Sequence, residues 1–119
     1  MKTVLAVLLL CCVFPVYADE WTSADTYREV VYLAVDSVDW AQTRNIARSN
    51  GLYYEQNNAI GRHPSVRQVD RYFAEAALAH VGIAYTLPKN WRAGFQYVSI
   101  GVELGWVSHN RQLNISARF

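Results

Sequence analysis

The clearest structural signal in the chain lies at residues 64–88, PSVRQVDRYFAEAALAHVGIAYTLP. Ser65 followed by Gln68 is the pattern of a capping box, in which two side chains satisfy the free amides at a helix start. Pro88 predicts an end near residue 87, because proline cannot continue a helix. Between these signals a stripe recurs at helical spacing: Val66, Val69, Phe73, Ala76, His80, Ile83 and Leu87. The stretch predicts a helix over 66–87 that packs closely against others.

A second helix is predicted before this one, over about 23–48. Thr22 and Ser23 are suitable N-caps, and the sequence Ser49-Asn50-Gly51 is typical of a helix end. Two stripes follow the helical repeat side by side. The more apolar one is Val31, Val35, Val38, Gln42 and Ile46; the polar one is Tyr32, Asp36, Asp39 and Thr43.

The last segment has two interpretations. Asn90 is a suitable cap for a helix over about 91–108, and Gly101 and Gly105 have the spacing that allows helices to approach closely. Residues 98–106 also alternate between apolar and polar or small side chains, which is typical of a strand. A β-hairpin turning at 108–111 and returning through 113–119 is the alternative. The favoured fold is mainly α: a small three-helix bundle forming one domain over 19–119, with a short extended tail.

The first eighteen residues have the pattern of a secretory signal peptide. Lys2 precedes an apolar run over 4–16, and Val16-Tyr17-Ala18 ends in the small residue that signal peptidase prefers. The run has about 13 apolar residues, short of the roughly 20 that a membrane span needs. Both cysteines lie in this segment. Cleavage after Ala18 therefore leaves an exported chain with no disulfide and no cysteine ligand or nucleophile, and we expect it in the inner membrane or the periplasm.

Charge is distributed unevenly along a chain whose formal net charge is only +1. This balance does not suggest a nucleic-acid partner. Acidic residues precede the first helix, whereas arginines crowd its connection to the second: Arg44, Arg48, Arg62, Arg67 and Arg71. A basic connection of this kind suits the cytoplasmic side of a membrane protein. Asp36 and Asp39 oppose insertion of the first helix alone, at roughly 2.5–3.5 kcal/mol each. A membrane-embedded or membrane-apposed bundle is favoured narrowly over a soluble one.

Each predicted helix carries one ionisable residue in an apolar setting: Asp39, His80 and Glu103. Because buried charges need partners, we expect the three to converge. His80 could then donate a proton to Asp39 or Glu103, or act as a general base. The three are therefore candidate catalytic residues, although a structural hydrogen-bond network is the favoured interpretation. The wider predicted polar cluster comprises Asp36, Asp39, Thr43, Glu55, Asn57, His63, His80 and Glu103.

A divalent metal site is a weaker alternative. The side chains of Asp39, Glu55, His63 and His80 suit zinc, manganese or iron by ligand type, and Asp36 and His109 could join them. No tightly spaced ligand motif brings them together, so no cofactor is expected. Nucleophile and phosphate-loop motifs are also missing from the sequence.

Three short motifs resemble a known pattern: Asp39-Trp40-Ala41-Gln42-Thr43, Glu55-Gln56-Asn57 and Gly61-Arg62-His63-Pro64-Ser65. Over about residues 36–85 the chain resembles small uncharacterised bacterial and phage membrane proteins, in which an Asp-x-x-Gln-Thr helix precedes a Glu-x-Asn-Pro turn. Asn58 replaces that proline here, so a looser turn is expected. The resemblance implies an integral-membrane helical bundle. In it, Asp39, Thr43, Glu55 and Asn57 would hold the first helix and the turn together. It brings no established activity; alternatively, Glu55 and Asn57 simply accept backbone hydrogen bonds.

Three functional hypotheses follow. The favoured one is a non-enzymatic, exported, membrane-associated helical protein that acts through contact with a protein partner or as a homo-oligomer. The second is a small enzyme or metal-binding protein centred on Asp39, His80 and either Glu55 or Glu103. The third is a soluble periplasmic binding or inhibitor module.

Overall fold

The structure, a computed structural model, describes residues 19–117; the predicted signal peptide lies outside the described residues. Three helices follow one another: α1 (Ser23–Ala47), α2 (Val66–Thr86) and α3 (Lys89–Gln112). The predicted three-helix bundle is confirmed. No strand occurs within 19–117, and α3 continues through residues 108–111, where the alternative hairpin was expected to turn. A short tail follows α3, as the helical interpretation predicted.

The first two helices begin with capping boxes. At α2 the prediction is confirmed: Ser65 Oγ accepts a hydrogen bond from the Gln68 amide at 3.2 Å, and Gln68 Oε1 accepts one from the Ser65 amide at 2.8 Å. At α1, Thr22 and Asp25 exchange the equivalent bonds at 3.2 and 2.8 Å. Each box satisfies amides that have no partner within the helix, and so fixes where the helix starts.

The start of α3 differs from the prediction. The helix begins at Lys89, so Asn90 lies inside it and does not cap it. Pro88 holds the preceding position without a side-chain cap, and the Lys89 amide donates instead to Asp19 Oδ2 at 2.6 Å. The cap therefore comes from the beginning of the described chain, which no local sequence pattern reveals.

The helices run up, down and up, with α1 packed against both of the others. Near the start of each helix, Arg92 of α3 is hydrogen-bonded to Asp25 of α1. Towards the end of each helix, Asn110 of α3 is hydrogen-bonded to Asp39 of α1, so the two helices are parallel. Trp40 donates to Asp70 and His80 contacts Glu29, so α2 is antiparallel to α1. Helices α2 and α3 contact each other least, which leaves room between them for a cavity.

The interior of the bundle is unusually polar. Within residues 19–117, seven apolar side chains are buried, including Tyr32, Val69 and Phe73. Eleven polar or charged residues are also buried: Asp25, Glu29, Asp36, Asp39, Gln42, Thr43, Glu55, His80, Arg92, Gln96 and Asn110. Conversely, large apolar side chains such as Val31 on α1 and Leu78 on α2 face outward. Within 19–117 no helix combines the length and apolar character needed to cross a membrane.

Candidate functional site: an acidic cavity and a buried polar network

A cavity of about 180 Å³ lies between the three helices and the α1–α2 connection. It brings together most of the predicted polar cluster. Its lining includes Asp36, Asp39, Thr43, Glu55, Asn57 and Glu103. Aromatic walls come from Tyr32, Tyr72, Phe73 and Trp106. The rest of the lining is formed by Ile60, Ala76, Val102 and Asn110. All four carboxyl groups thus face one enclosed space.

Asp39 and Glu103 form a carboxyl pair across α1 and α3. Their side chains are close enough for each carboxyl group to alter the pKa of the other. Burial, and then the negative charge of Glu103, raise the pKa of Asp39 well above its ordinary range. Burial also raises the pKa of Glu103, whereas its interaction with Asp39 lowers it. We therefore expect the pair to share one proton near neutral pH.

Asn110 positions this pair from the end of α3. Its side-chain amide donates to Asp39 Oδ1 at 3.1 Å and to Gln42 Oε1 at 3.2 Å, and the residue is buried. Gln42 in turn donates to the backbone oxygen of Val107 at 3.3 Å. These bonds hold the two parallel helices in register at the cavity.

Asp36 is different, because its carboxyl group has no hydrogen-bond partner among the described residues. It lies one helical turn before Asp39, is only 6 % exposed and lines the cavity. Burial, followed by the negative charge of Glu103, raises its pKa to about 7. A buried carboxyl without donors is costly once ionised, so Asp36 is the least satisfied group of the site.

The α1–α2 connection closes the cavity. The Glu55 amide donates to the backbone oxygen of Arg62 at 2.9 Å, which folds the connection back on itself. Glu55 Oε1 accepts from the Asn57 amide at 2.9 Å, and Asn57 Oδ1 accepts from the Ala59 amide at 3.0 Å. Glu55 and Asn57 thus accept backbone hydrogen bonds, as the alternative predicted, but within the connection and not as caps of a helix end. Asn57 also donates to the Tyr72 hydroxyl at 3.0 Å, which ties the connection to α2.

A second polar network lies at the opposite end of the bundle. Arg92 Nη1 donates to Asp25 Oδ2 at 2.9 Å, and both side chains are 0 % exposed. Burial alone would raise the pKa of Asp25, but hydrogen bonds from the Thr22 amide and hydroxyl and from Arg92 lower it to about 2. Arg28 forms a further ion pair with Asp25. Arg92 also donates to the backbone oxygens of Ala84, Leu87, Asp19 and Glu20 at 2.8–3.2 Å.

His80 belongs to this second network and not to the cavity. Its Nδ1 lies 2.8 Å from Glu29 Oε1, and its ring is stacked between Tyr32 and Phe95, at centroid distances of 3.5 and 4.4 Å. The suggested hydrogen bond from His80 to Asp39 or Glu103 is therefore replaced by one to Glu29. The reason is the register of the antiparallel helices: α2 places Asp70 beside Trp40, so residue 80 falls beside residue 29.

Of the remaining candidates, His63 is exposed beside Pro64 and outside the cavity lining. His109 lies at the far end of α3, near Trp106. Over residues 19–117 no three histidine, aspartate or glutamate side chains are arranged to hold a metal ion. The four residues named as metal candidates are thus divided between the cavity, the surface and the second network.

Five buried polar residues were not among the predicted site residues: Asp25, Glu29, Arg92, Gln96 and Asn110. Their spacing does carry a signal. On α1, Asp25 and Glu29 continue the polar stripe backwards by whole helical turns, and on α3 the separation between Arg92 and Gln96 is one turn. Gln96 donates to Glu29 Oε2 at 2.9 Å and accepts from Arg28 at 2.8 Å. Extending the stripe at Tyr32 towards the start of α1 would have added Asp25 and Glu29, but not their partners on α3.

Comparison of this chain with protein-family models, with characterised proteins and with solved structures found no match.

The arrangement can supply buried carboxyl groups that exchange protons readily, because the pKa values of Asp36, Asp39 and Glu103 are raised. Tyr32, Thr43 and Tyr72 add hydroxyl groups to the same lining.

Proposed function

We propose that this protein is an exported, membrane-associated helical protein that acts through contact with another protein or a second copy of itself. The observation that carries the proposal is the inverted distribution of polar and apolar side chains. The exposed apolar residues form what we call the uncharged belt: Tyr27, Val30, Val31, Leu78, Val81, Tyr85, Tyr97, Val98, Val102 and Leu104.

The belt is free of exposed acidic and basic side chains on all three helices. Over residues 26–47, 76–86 and 91–108, every exposed residue is apolar, glycine, tyrosine, tryptophan, serine or threonine. The ionisable groups at this level, such as Glu29, Asp36 and His80, are buried in the interior. A protein partner would need such a surface on one face only, whereas contact with lipid accounts for it on all three helices.

Among residues 19–117, most exposed charge lies at the two ends of the bundle; the half-exposed Glu75 in the middle of α2, which is paired with Arg71, is an exception. Asp19, Glu20 and Lys89 lie at one end. The opposite end is rich in exposed arginine: Arg48, Arg62, Arg67, Arg71 and Arg111. A basic end suits a membrane surface with anionic headgroups, and an uncharged middle suits the apolar phase. Because polar side chains on each helix face the other two, membrane association is a property of the assembled bundle and not of any helix alone.

Two leucines provide a matched test of membrane association. Leu78 in the belt and Leu52 in the α1–α2 connection are each 76 % exposed. The chain from Asp19 onward, which is the form expected after cleavage, and its Leu78→Lys and Leu52→Lys variants would be mixed with phosphatidylcholine–phosphatidylglycerol vesicles and separated by flotation. We expect the unchanged chain and Leu52→Lys to float with the vesicles. Leu78→Lys should lose most of its association, because it places a charge within the belt.

Two outcomes would contradict membrane association: an unchanged chain that stays at the bottom of the gradient, or a Leu78→Lys variant that floats like Leu52→Lys. The contact role needs its own measurement. A photo-crosslinking side chain at Tyr97 in the belt should give a defined protein adduct in membranes, while the same group at Leu52 should not. Absence of any adduct at Tyr97, together with a monomeric mass in detergent, would exclude action through contact at this face.

A further inference from the structure

The acidic cavity contains carboxyl groups that no cationic side chain of its lining pairs. Four carboxyl groups line it, and no lysine, arginine or histidine is among its lining residues. Within the second network, by contrast, Asp25 meets Arg92 and Glu29 meets His80. Charges at one end of the interior are therefore paired by side chains of the protein, and those at the other end are not.

Two acceptor positions in the cavity have no donor. Asp36 is 6 % exposed and its carboxyl group has no hydrogen-bond partner within residues 19–117. Glu103 Oε2 is enclosed and also has no partner within the described chain. Buried acceptors are normally satisfied, so these two point to a donor that the chain itself does not supply.

The shape of the cavity limits what that donor can be. The carboxyl groups are not arranged to hold a metal ion. A volume of about 180 Å³ exceeds the space for one water molecule and is below the ordinary range for drug-sized ligands. Tyr72, Phe73 and Trp106 supply aromatic walls, and aromatic faces attract organic cations. The dimensions suit a small organic cation or a single basic side chain.

We propose that the acidic cavity binds a protonated amine or guanidinium group, with Asp36 and Glu103 accepting its hydrogen bonds. The group belongs either to a small free amine or to a lysine or arginine side chain of a partner protein. This site goes beyond the proposed membrane function, because it rests on the cavity alone.

Binding would exchange a cation for protons. Burial raises the pKa of Asp36, Asp39 and Glu103, so these groups retain protons at a pH where exposed carboxyls have lost them. The titratable side chains that face them are Tyr32 on α1, Glu55 in the connection and Tyr72 on α2. None of these facing groups is a cation, so affinity should rise with pH through the neutral range.

The test uses the purified full chain in amine-free buffer at pH 8. Methylammonium, guanidinium and 1,4-diaminobutane would be titrated while backbone amide resonances are followed by NMR, with neutral 1,4-butanediol as the ligand control. We expect saturable shifts of cavity residues with the cations and none with the diol. Asp36→Asn and Glu103→Gln should each weaken binding at least about tenfold, since each removes a charged acceptor.

Two further variants keep the result interpretable. Glu75→Gln removes a carboxyl on α2 outside the cavity lining and should bind like the unchanged chain. Ala76→Met fills the cavity without changing its charge and should also abolish binding. Absence of saturable shifts with every cation, equal binding of the diol, or unchanged affinity in Asp36→Asn would overturn the proposal.

Short peptides distinguish the two sources of the cation. If free amines bind at least as tightly as Gly-Lys-Gly and Gly-Arg-Gly, the ligand is a small molecule. If the peptides bind at least tenfold more tightly, it is a side chain of a partner protein. The measurement contains no vesicles, so its failure would leave membrane association untouched.

Discussion

Arg92 and Asp25 form an ion pair in which both side chains are 0 % exposed, with a nitrogen–oxygen distance of 2.9 Å. The two residues are 67 positions apart in the chain. The guanidinium also binds backbone oxygens at the end of α2, such as those of Ala84 and Leu87. One side chain thus joins the start of α1, the end of α2 and the start of α3.

Replacement of Arg92 should be the most damaging single change in the second network. Arg92→Ala leaves the buried Asp25 carboxylate without its cation, and we expect the free energy of unfolding to fall by about 3–5 kcal/mol. Urea denaturation followed by circular dichroism would measure the loss. Arg111→Ala, an exposed position on the same helix, should change stability by at most about 0.5 kcal/mol. Equal effects of the two substitutions would contradict the structural role of the pair.

Acid should weaken the fold through Asp25. Its folded pKa of about 2 lies below the ordinary value of 3.8, so it contributes stability that is present above pH 3.8. That contribution is lost as the pH falls through 3.8 towards 2. We expect the stability difference between the unchanged chain and Asp25→Asn to shrink over this interval in urea titrations. A difference independent of pH would show that the carboxylate charge is unimportant.

Asp36 should affect the pH dependence of stability in the opposite direction to Asp25. Its folded pKa of about 7 lies above 3.8, so the folded chain retains a proton that the unfolded chain releases. Its protonated carboxyl favours folding fully below pH 3.8, and this contribution declines as the pH rises from 3.8 to 7. At pH 8, Asp36→Asn should therefore be more stable than the unchanged chain, by an amount on the order of a few kcal/mol at most. Glu75→Gln provides the control in the same thermal scans, and a destabilised Asp36→Asn at pH 8 would refute the argument.

Glu29 and His80 should be energetically coupled. Their side chains are buried and their contact at 2.8 Å lies between aromatic rings, so each depends on the other. A double-mutant cycle with Glu29→Gln and His80→Gln should give a coupling free energy of about 1–3 kcal/mol at pH 7. The exposed Arg71–Glu75 pair provides a reference cycle that should show no resolvable coupling. Additive effects at Glu29 and His80 would mean that the contact contributes nothing.

The capping box of α2 should contribute a smaller amount. Ser65→Ala removes the acceptor for the Gln68 amide, and we expect a loss of about 1 kcal/mol in the free energy of unfolding. Ser108→Ala, at an exposed position of α3, is the matched control and should be close to neutral. If both changes have the same effect in urea denaturation, the cap does not stabilise the helix.

The ends of the first two helices could be predicted because local chemistry determines them. Ser65 with Gln68 starts α2, and Asn50 and Gly51 adopt φ angles of 53° and 85° just beyond α1. The ambiguity at residues 98–106 arose because α3 exposes apolar side chains on much of its surface, which imitates strand alternation. Gln96 and Glu103, which identify its inner face, are two helical turns apart.

The arrangement of the interior was harder to predict. Val31 belongs to the apolar stripe of α1 yet is 47 % exposed, while Asp36 on the polar stripe is buried. The usual tendency of apolar residues to be buried is reversed where other helices supply donors for the acids. Those donors, such as Asn110 for Asp39, are contributed by residues some 70 positions away, so the periodicity of one helix cannot reveal them. The separation of His80 from Asp39 likewise depends on the register between helices.

The enclosed pair of Arg92 and Asp25 also determines how the chain must assemble. Any intermediate that lacks α3 leaves acidic groups of α1 without their donors, and any intermediate that lacks α1 leaves a guanidinium uncompensated. Partly folded forms are therefore destabilised, so the bundle should fold and unfold as one cooperative unit. A fragment that ends after α2 should not fold.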